Sequence, residues 1–316
     1  MTDQIILITG GTGFAGSHLV ETLLAKQVPA EIIHVTNFSQ KPNFVSTLLP
    51  ATNIHQLDLT NTKATAELFV KLQPSQIYHL ASFSSPSLSL EKTTQAIETN
   101  IEIQMNVLEA LLQHAPTARL LSIGSASEYA SSTEPLTEKN ILGPHNPYGV
   151  SKVAQDMLAY SYTMRFELDI VRVRPFNHIG ERQERGFVVS DFAYQIVQIE
   201  RGLQTDLQVG NLQVTRDFSD VKDIVRGYLL LMEKGQKGEV YNLGSGQDLT
   251  IQELVKKMKT LATVDFSIKV QEKKQRPGDI LRSVADITKI QQLGWQSTIP
   301  LENTLERILN WWRQQS

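Results

Sequence analysis

Short apolar runs alternate with helically spaced segments through the first half of the chain. Residues 4–9, 31–36, 76–80, 119–123 and 168–174 are almost continuously apolar and rich in Ile, Val and Leu, the pattern of strands buried on both faces. Between them, Ala15, Leu19 and Leu23 fall at helical spacing, as do Leu68 and Leu72, and a longer helix is predicted over 93–114. Strand–helix alternation of this kind predicts an α/β fold, a doubly wound parallel sheet with right-handed crossovers.

After Pro175 the pattern changes. Arg, Gln and Gly cluster over 180–186, a helix follows over 191–200, and a final helix over 301–313 carries Leu301, Leu305, Ile308, Leu309 and Trp312 on one stripe, the mark of a packing element. The expected organisation is a first domain over 1–174, which receives a later segment at about 215–240, and a smaller α/β domain over 175–316. No repeat or low-complexity linker separates them, so a shared cleft is the expected ligand site.

Composition narrows the chemistry. The formal charge of −3 over 316 residues, with no long basic run, gives no reason to expect nucleic acid or an anionic membrane as partner. The absence of cysteine excludes disulfides, thiolate zinc sites and a cysteine nucleophile. Met1–Gln4 run straight into a short apolar strand without a basic lead, so the expectation is a cytoplasmic protein with no membrane span.

The first strand runs into Gly10-Gly11-Thr12-Gly13-Phe14-Ala15-Gly16 and then a helix. Glycines at 10, 13 and 16 let the backbone turn tightly and approach a pyrophosphate, which then meets the helix N-terminal N–H groups. In Tyr148-Gly149-Val150-Ser151-Lys152, a phenol and an ammonium lie four residues apart and share a helix face. A nearby ammonium favours the phenolate and is expected to lower the tyrosine's proton affinity. Ser125, directly after the 119–123 strand, is the expected third member, its hydroxyl polarising a substrate carbonyl; Ser127 is its rival. A chance tyrosine–lysine spacing on a solvated face would not coincide with the glycine loop, the post-strand serine and the strand–helix order.

The G-x-x-G-x-x-G spacing together with Tyr148 and Lys152 resembles the extended short-chain dehydrogenase/reductases, enzymes built on a Rossmann-type sheet, and the resemblance covers essentially the whole chain. It implies a nicotinamide cofactor against Gly10, Gly13, Phe14, Ala15 and Gly16, with Asp58 and Leu59 near the adenine. It further implies cofactor contacts at Leu80, Ala81 and Ser82, at Ile123, and at Phe176 and His178, with Lys152 on the nicotinamide ribose. Asn100 is expected near bound water or backbone at the site, or in a structural role. At the end of the second strand, Thr36, Asn37 and Ser39 replace the acid that would grip a ribose 2′-hydroxyl, so NADP(H) is favoured and NAD(H) possible, with Thr36, Asn37, Ser39 and Lys41 as candidate phosphate donors.

In the second half, Arg174 to Gly180, Gly186 to Phe192, Arg216-Asp217-Phe218 and Arg276-Pro277-Gly278-Asp279 look like enzymes that process GDP-mannose. The implied substrate contacts are Asn177 near the diphosphate or sugar, Val188 and Val189 near the base, Asp279 on its ribose, and Arg216 and Arg276 on the diphosphate. Arg216 beside Asp217 also fits a surface ion pair. Ser84 and Ser125 complete the set at the carboxyl edge of the sheet. The family's 4,6-dehydratases carry a glutamate two residues before the aromatic matched by Tyr129; that position is Ser127 here, and the acid, Glu128, comes one place late. The resemblance therefore implies C4 reduction of a GDP-bound 4-keto-6-deoxymannose to GDP-rhamnose, with a 4,6-dehydratase or epimerase as the alternative. A non-catalytic dinucleotide sensor is the reading from another class, and Tyr148, Lys152 and Ser125 together count against it. The seven histidines contain no His-x-x-x-His with a suitable acid, so no metal is expected. Many relatives dimerise through helices matching 93–114 and 147–166, which makes a homodimer the expected assembly.

Overall fold

The computed structural model of the chain describes residues 4–39, 43–84, 86–271 and 280–315. Its centre is a seven-stranded parallel sheet built from β1 (Ile6–Thr9), β2 (Ile33–Asn37), β3 (Ile54–Gln56), β4 (Gln76–His79), β5 (Arg119–Ile123), β6 (Asp169–Pro175) and a late strand, Val240–Leu243. Between β6 and that strand lie β7 (Asn177–Ile179), β8 (Asp206–Val209), β9 (Thr215–Arg216) and β10 (Phe218–Asp220), so Val240–Leu243 is β11. β12 (Leu249–Thr250), β13 (Ser267–Val270) and β14 (Arg282–Ser283) follow. The helices are α1 (Phe14–Ala25), α2 (Thr62–Leu72), α3 (Pro86–Glu91), α4 (Thr93–His114), α5 (Pro147–Phe166), α6 (Val188–Glu200), α7 (Val221–Lys234), α8 (Ile251–Leu261), α9 (Thr288–Gln291) and α10 (Leu301–Gln314). The expected five strands are present, with β3 and β11 added; Ile54-His55-Gln56 holds one aliphatic residue, too few for the pattern to declare it.

The sheet order is β11-β6-β5-β4-β1-β2-β3, with every neighbour parallel. Order reverses at β1, which lies between β4 and β2, and ligands in open parallel sheets bind outside the carboxyl ends at such a point. Helices cover both faces. Leu19, Val20 and Leu23 of α1 pack with Ile224, Tyr228 and Leu231 of α7 on one; Phe69 of α2, with Val107 and Leu111 of α4, packs on the other. A separate core joins Val189, Phe192 and Ile196 of α6 to Leu254 and Met258 of α8 and Leu305 and Ile308 of α10. The tie between the two cores is polar. Buried Asp220 caps α7 through the Lys222 N–H (2.7 Å), accepts the Thr304 hydroxyl (2.6 Å) and pairs with Arg307 on α10. Among the described residues no helix is long and apolar enough to cross a membrane.

Candidate active site

A cleft of about 1550 Å³ opens along the carboxyl edge of the sheet. At its centre the chain leaves β1 through Gly10 with φ of 66°, where a Cβ would stand 3.0 Å from the Ala81 backbone; on Gly16 it would stand 2.5 Å from the Gly10 carbonyl. Glycine is therefore required at both positions. α1 begins at Phe14 with neither a side-chain cap nor an acid in its first turn, so its N-terminal N–H groups face the cleft open to an anion. The close-packed glycines and the uncapped helix end fit a dinucleotide pyrophosphate. Leu80, Ala81 and Ser82 at the end of β4, and Asp58 and Leu59 after β3, line the same cleft. Asp58 is exposed, one oxygen accepting the Thr60 N–H and hydroxyl at 3.0 and 2.8 Å.

Thr36, Asn37 and Asn100 each make hydrogen bonds within the protein. Thr36 is buried and its hydroxyl oxygen accepts the Gly10 N–H (2.9 Å), pinning the glycine loop. The Asn37 carbonyl oxygen accepts the Thr12 hydroxyl (2.9 Å) and the Ser39 N–H (3.1 Å), while its amide donates to the Ser39 carbonyl (2.5 Å) and to Gln56 (3.3 Å). Thr36 and Asn37 both line the cleft; the Asn37 amide donates inside the protein, whereas the Thr36 hydroxyl accepts there and keeps its own proton to donate. Asn100 is fully buried and off the cleft. It accepts the Phe83 N–H (2.6 Å) and donates to the Phe83 carbonyl (3.2 Å) and the Ser151 hydroxyl (2.8 Å), which fixes the loop after β4 against α5. Lys41 lies outside the described residues.

The catalytic candidates meet where β5, its following turn and α5 converge. Asn146 caps α5 by accepting the Gly149 N–H (2.8 Å), and Pro147 opens the first turn, so Tyr148 stands at the helix start with Lys152 one turn on. The Lys152 ammonium donates to the Ile123 carbonyl (2.9 Å) and lies 5.9 Å from the Tyr148 ring centre. The Ser125 side chain adjoins the Tyr148 hydroxyl closely enough to lower its proton affinity. Ser125 and Ser127 both line the cleft, and Ser125 is the one that acts on the Tyr148 phenol. The expected depression of the phenol is reversed. Burial pushes Tyr148 up to about 12, opposed by the Ser125 side chain and reinforced by the charge of Glu128. Burial lowers Lys152 to about 8, with Glu128 opposing. In the protein alone desolvation sets the direction, so Tyr148 carries its proton at neutral pH.

Behind Ser125 lies a charge network that motif spacing does not reveal. Glu128, on a single 3-10 turn (Ala126–Glu128), is fully buried and absent from the cleft wall. One of its oxygens accepts the Ser125 N–H (2.7 Å) and the other the Arg174 guanidinium (2.7 Å). Arg174 also donates to Asp156 (2.6 Å) and to the Tyr129 hydroxyl (3.0 Å), and Arg172 reaches Asp156 at 3.0 Å. Burial and Asp156 push Glu128 up while Arg174 pulls it back; its two short charge-assisted bonds are those of a carboxylate.

At the other end of the cleft, Asn177 and His178 follow β6 on β7, and Phe176 before them packs with Ala126 and Tyr129. His178 stacks on Phe14 (rings 5.8 Å apart, 3° between planes) and donates Nδ1–H to the Phe176 carbonyl (3.0 Å); burial holds this imidazole neutral. Arg216 lines the cleft from β9, its guanidinium anchored on the Thr215 and Ile280 carbonyls at 2.9 and 2.7 Å. The alternative of an Arg216–Asp217 surface pair fails, because Asp217 is fully buried and accepts the Ser245 N–H and hydroxyl (2.7 and 2.6 Å) and the Gly246 and Ala285 N–H groups (2.9 and 3.2 Å). Val188 and Val189 open α6 beside the cleft, but the Val189 side chain belongs to the second core, so a base can meet only its backbone. Ser84 is exposed on the wall; Arg276 and Asp279 lie outside the described residues.

Arg182 and Trp311 are among the wall residues that motif reading missed. Arg182, left-handed at φ 70°, donates to the Ser17 hydroxyl (3.1 Å), pairs with Glu21 and lies 4.1 Å over the Phe44 ring. Its signal was the Arg-Gln-Gly cluster after β7. Trp311 reaches the cleft from α10, whose stripe declares only its packing face. Among the described residues no group of three or more His, Asp or Glu side chains gathers to hold a metal ion.

Sheet, glycine loop and the Ser125–Tyr148–Lys152 constellation define an extended short-chain dehydrogenase/reductase, an NAD(P)-dependent oxidoreductase fold whose relatives act on sugar nucleotides. The family model for GDP-mannose 4,6 dehydratase matches residues 7–308, and the chain belongs to that family. It is 30% identical over 314 residues to GDP-6-deoxy-D-mannose reductase of Pseudomonas aeruginosa, covering 98% of this chain and 97% of the relative. It is 32% identical over 311 residues to UDP-glucuronic acid decarboxylase 6 of Arabidopsis thaliana, covering 95% and 86%. Among solved structures, RMD from Pseudomonas aeruginosa complexed with NADPH superposes with a TM-score of 0.86 at 30% identity, covering 98% of this chain and 99% of the other.

Proposed function

We propose that the protein reduces the C4 keto group of GDP-4-keto-6-deoxy-D-mannose to GDP-D-rhamnose, with NADPH as reductant. The observation that carries this reading is the placement of residues 127 and 128. The cleft wall holds Ser127 where the family's dehydratases are expected to hold a glutamate, and Glu128 is buried under Arg174. Elimination of water needs an acid/base over the sugar, whereas reduction needs only hydride, a proton and a polarised carbonyl. NADPH is preferred because β2 ends in Asn37, followed by Phe38 and Ser39, with no carboxylate to repel a 2′-phosphate; the similar RMD structure is also complexed with NADPH.

Bound NADPH supplies the hydride that adds to C4. Ser125 holds the carbonyl oxygen, Tyr148 gives its proton to that oxygen as the C–H bond forms, and Lys152 stabilises the phenolate left behind. A Tyr148 still protonated at neutral pH suits this direction. Arg216 is assigned to the diphosphate, with Asn177 on the sugar side. Arg276 and Asp279 keep their expected roles on the diphosphate and ribose.

The test is a panel of GDP-, UDP- and dTDP-linked 4-keto-6-deoxy sugars with NADPH or NADH, followed by loss of reduced-nicotinamide absorbance, with NMR of the product. Oxidation of NADPH confined to the GDP substrate, yielding GDP-rhamnose, is expected. Consumption of GDP-mannose without net NADPH loss would replace the reading with dehydration. NADPH binding without turnover of any keto sugar would leave the sensor.

A further inference from the structure

We propose that Glu128 is a positioning residue of the proton-transfer site: its carboxylate seats Ser125 and sets the charge under which Tyr148 and Lys152 work. The inference rests on the reading of Tyr148 and Lys152 as the proton-transfer pair. It assigns a role to an acid that the reduction itself does not require.

Three observations carry it. Ser125 and Glu128 form a reciprocal cap on the short turn after β5, the Ser125 N–H donating to the carboxylate (2.7 Å) and the Ser125 hydroxyl oxygen accepting the Ser127 N–H (3.1 Å). In a 3-10 turn residues i and i+3 eclipse, so residue 128 returns beneath the backbone of residue 125. The Ser125 hydroxyl, which lines the cleft with Tyr148, is thereby aimed by a bond to its own backbone. Second, the carboxylate is clamped from behind: Arg174 on β6 holds it at 2.7 Å and is itself held by Asp156 on α5 and by Tyr129. Gly124 gives it room, because a Cβ there would collide with the Glu128 carboxylate. Third, no bond joins Glu128 to Tyr148 or Lys152, yet its negative charge raises the proton affinity of both through a buried medium. The charged and titratable groups around it are Arg174 (β6), Asp156, Tyr148 and Lys152 (α5), and the Tyr129 hydroxyl.

Loss of that charge must therefore lower both groups. Glu128→Gln keeps the acceptor for the Ser125 N–H and removes the charge. In cofactor-free protein, the pH dependence of Lys152 acetylation, read by mass spectrometry, is expected to give a midpoint near 8 in the parent and about one unit lower in the variant. The alkaline limb of kcat for the keto-sugar reduction is expected to move to lower pH in the same sense. Glu128→Asp keeps the charge but withdraws the carboxylate by one methylene. It should leave the Lys152 midpoint in place and cut kcat about tenfold or more, with KM little changed, because Ser125 is no longer seated. If Glu128→Gln does not fold, the Asp variant alone decides. Variants that lose only thermal stability, with the Lys152 midpoint, kcat and the pH profile unmoved, would overturn the proposal. A Lys152 shift in a protein that turns over no keto sugar would sink the proposed reaction and leave this inference standing.

Discussion

Asp217→Asn tests whether the substrate half of the cleft is held by one buried carboxylate. Asp217 accepts four donors, two on each oxygen: the Ser245 N–H and hydroxyl on one, the Gly246 and Ala285 N–H groups on the other. Asparagine keeps one acceptor oxygen and turns an NH2 toward the remaining pair. Whichever way it flips, two buried donors lose their partner, at about 1–3 kcal/mol each, or about 2–6 kcal/mol together. At about 2.1 cal/mol/K of unfolding entropy per residue, a chain of 316 residues loses about 1.5 °C per kcal/mol, so the melting temperature should fall by about 3–9 °C. The damage should be directional. Asp217 ties β9, and with it Arg216, to β14 and to the turn after β11, while the glycine loop lies on β1. Differential scanning fluorimetry with and without NADPH, together with KM for the GDP-keto sugar, reads both consequences. A variant within 1 °C of the parent, or one that loses NADPH affinity as much as sugar-nucleotide affinity, would refute the reasoning.

Tyr148→Phe should lower kcat for the reduction on the order of 10²-fold or more while NADPH fluorescence titration stays unchanged; near-normal turnover would remove Tyr148 as proton donor. His55 and His34 stack across β2 and β3 with Nε2 and Nδ1 3.0 Å apart, and burial, with the neighbouring His34 and Lys71 charges, lowers His55 from 6.5 to about 4. A folded value below the unfolded one means that protons favour unfolding, so this pair's contribution is intact above pH 6.5 and fades toward pH 4. The fall in melting temperature over that window should be shallower in His55→Gln; an identical fall would dismiss the pair as its cause. Met105 on α4 and Val150, Met157, Tyr160, Met164 and Phe166 on α5 are exposed apolar side chains, and a homodimer through these helices is expected. Light scattering that returns a monomer at micromolar concentration would exclude it.

Features whose causes are local could be read from the chain. Continuous apolar runs fix which segments become parallel strands, and the glycine spacing and the i, i+4 phenol and ammonium announce a loop and a helix face without knowledge of anything distant. The contacts that spacing does not report are those whose partners lie far along the chain. Thr36 meets Gly10 across 26 residues, Asn100 meets Ser151 across 51, and Arg174 meets Glu128 across 46. No periodicity reports such meetings, and each uses hydrogen-bonding capacity that residue type alone leaves available to a ligand. The Tyr148–Lys152 electrostatics failed for a related reason: spacing reports proximity, whereas the direction of the shift is decided by how much solvent the fold removes.

The one-residue displacement of the acid near Tyr129 joins these scales. Along an extended strand, a shift of one residue would exchange the two faces of the sheet. Here the shift falls on a 3-10 turn, where a residue three places on returns to the same edge, so residue 128 lies under the Ser125 backbone and residue 127 reaches the cleft. Moving the carboxylate from 128 to 127 would therefore do two things at once. It would place an acid where elimination needs one, and it would take from Arg174 one of its two carboxylate partners while releasing Ser125. Breaking such a buried pair costs about 3–5 kcal/mol. Gain of a dehydratase glutamate in this chain would thus require a replacement for the Glu128–Arg174 clamp, and an exchange of Ser127 and Glu128 alone should yield a weakened fold before it yields a second activity.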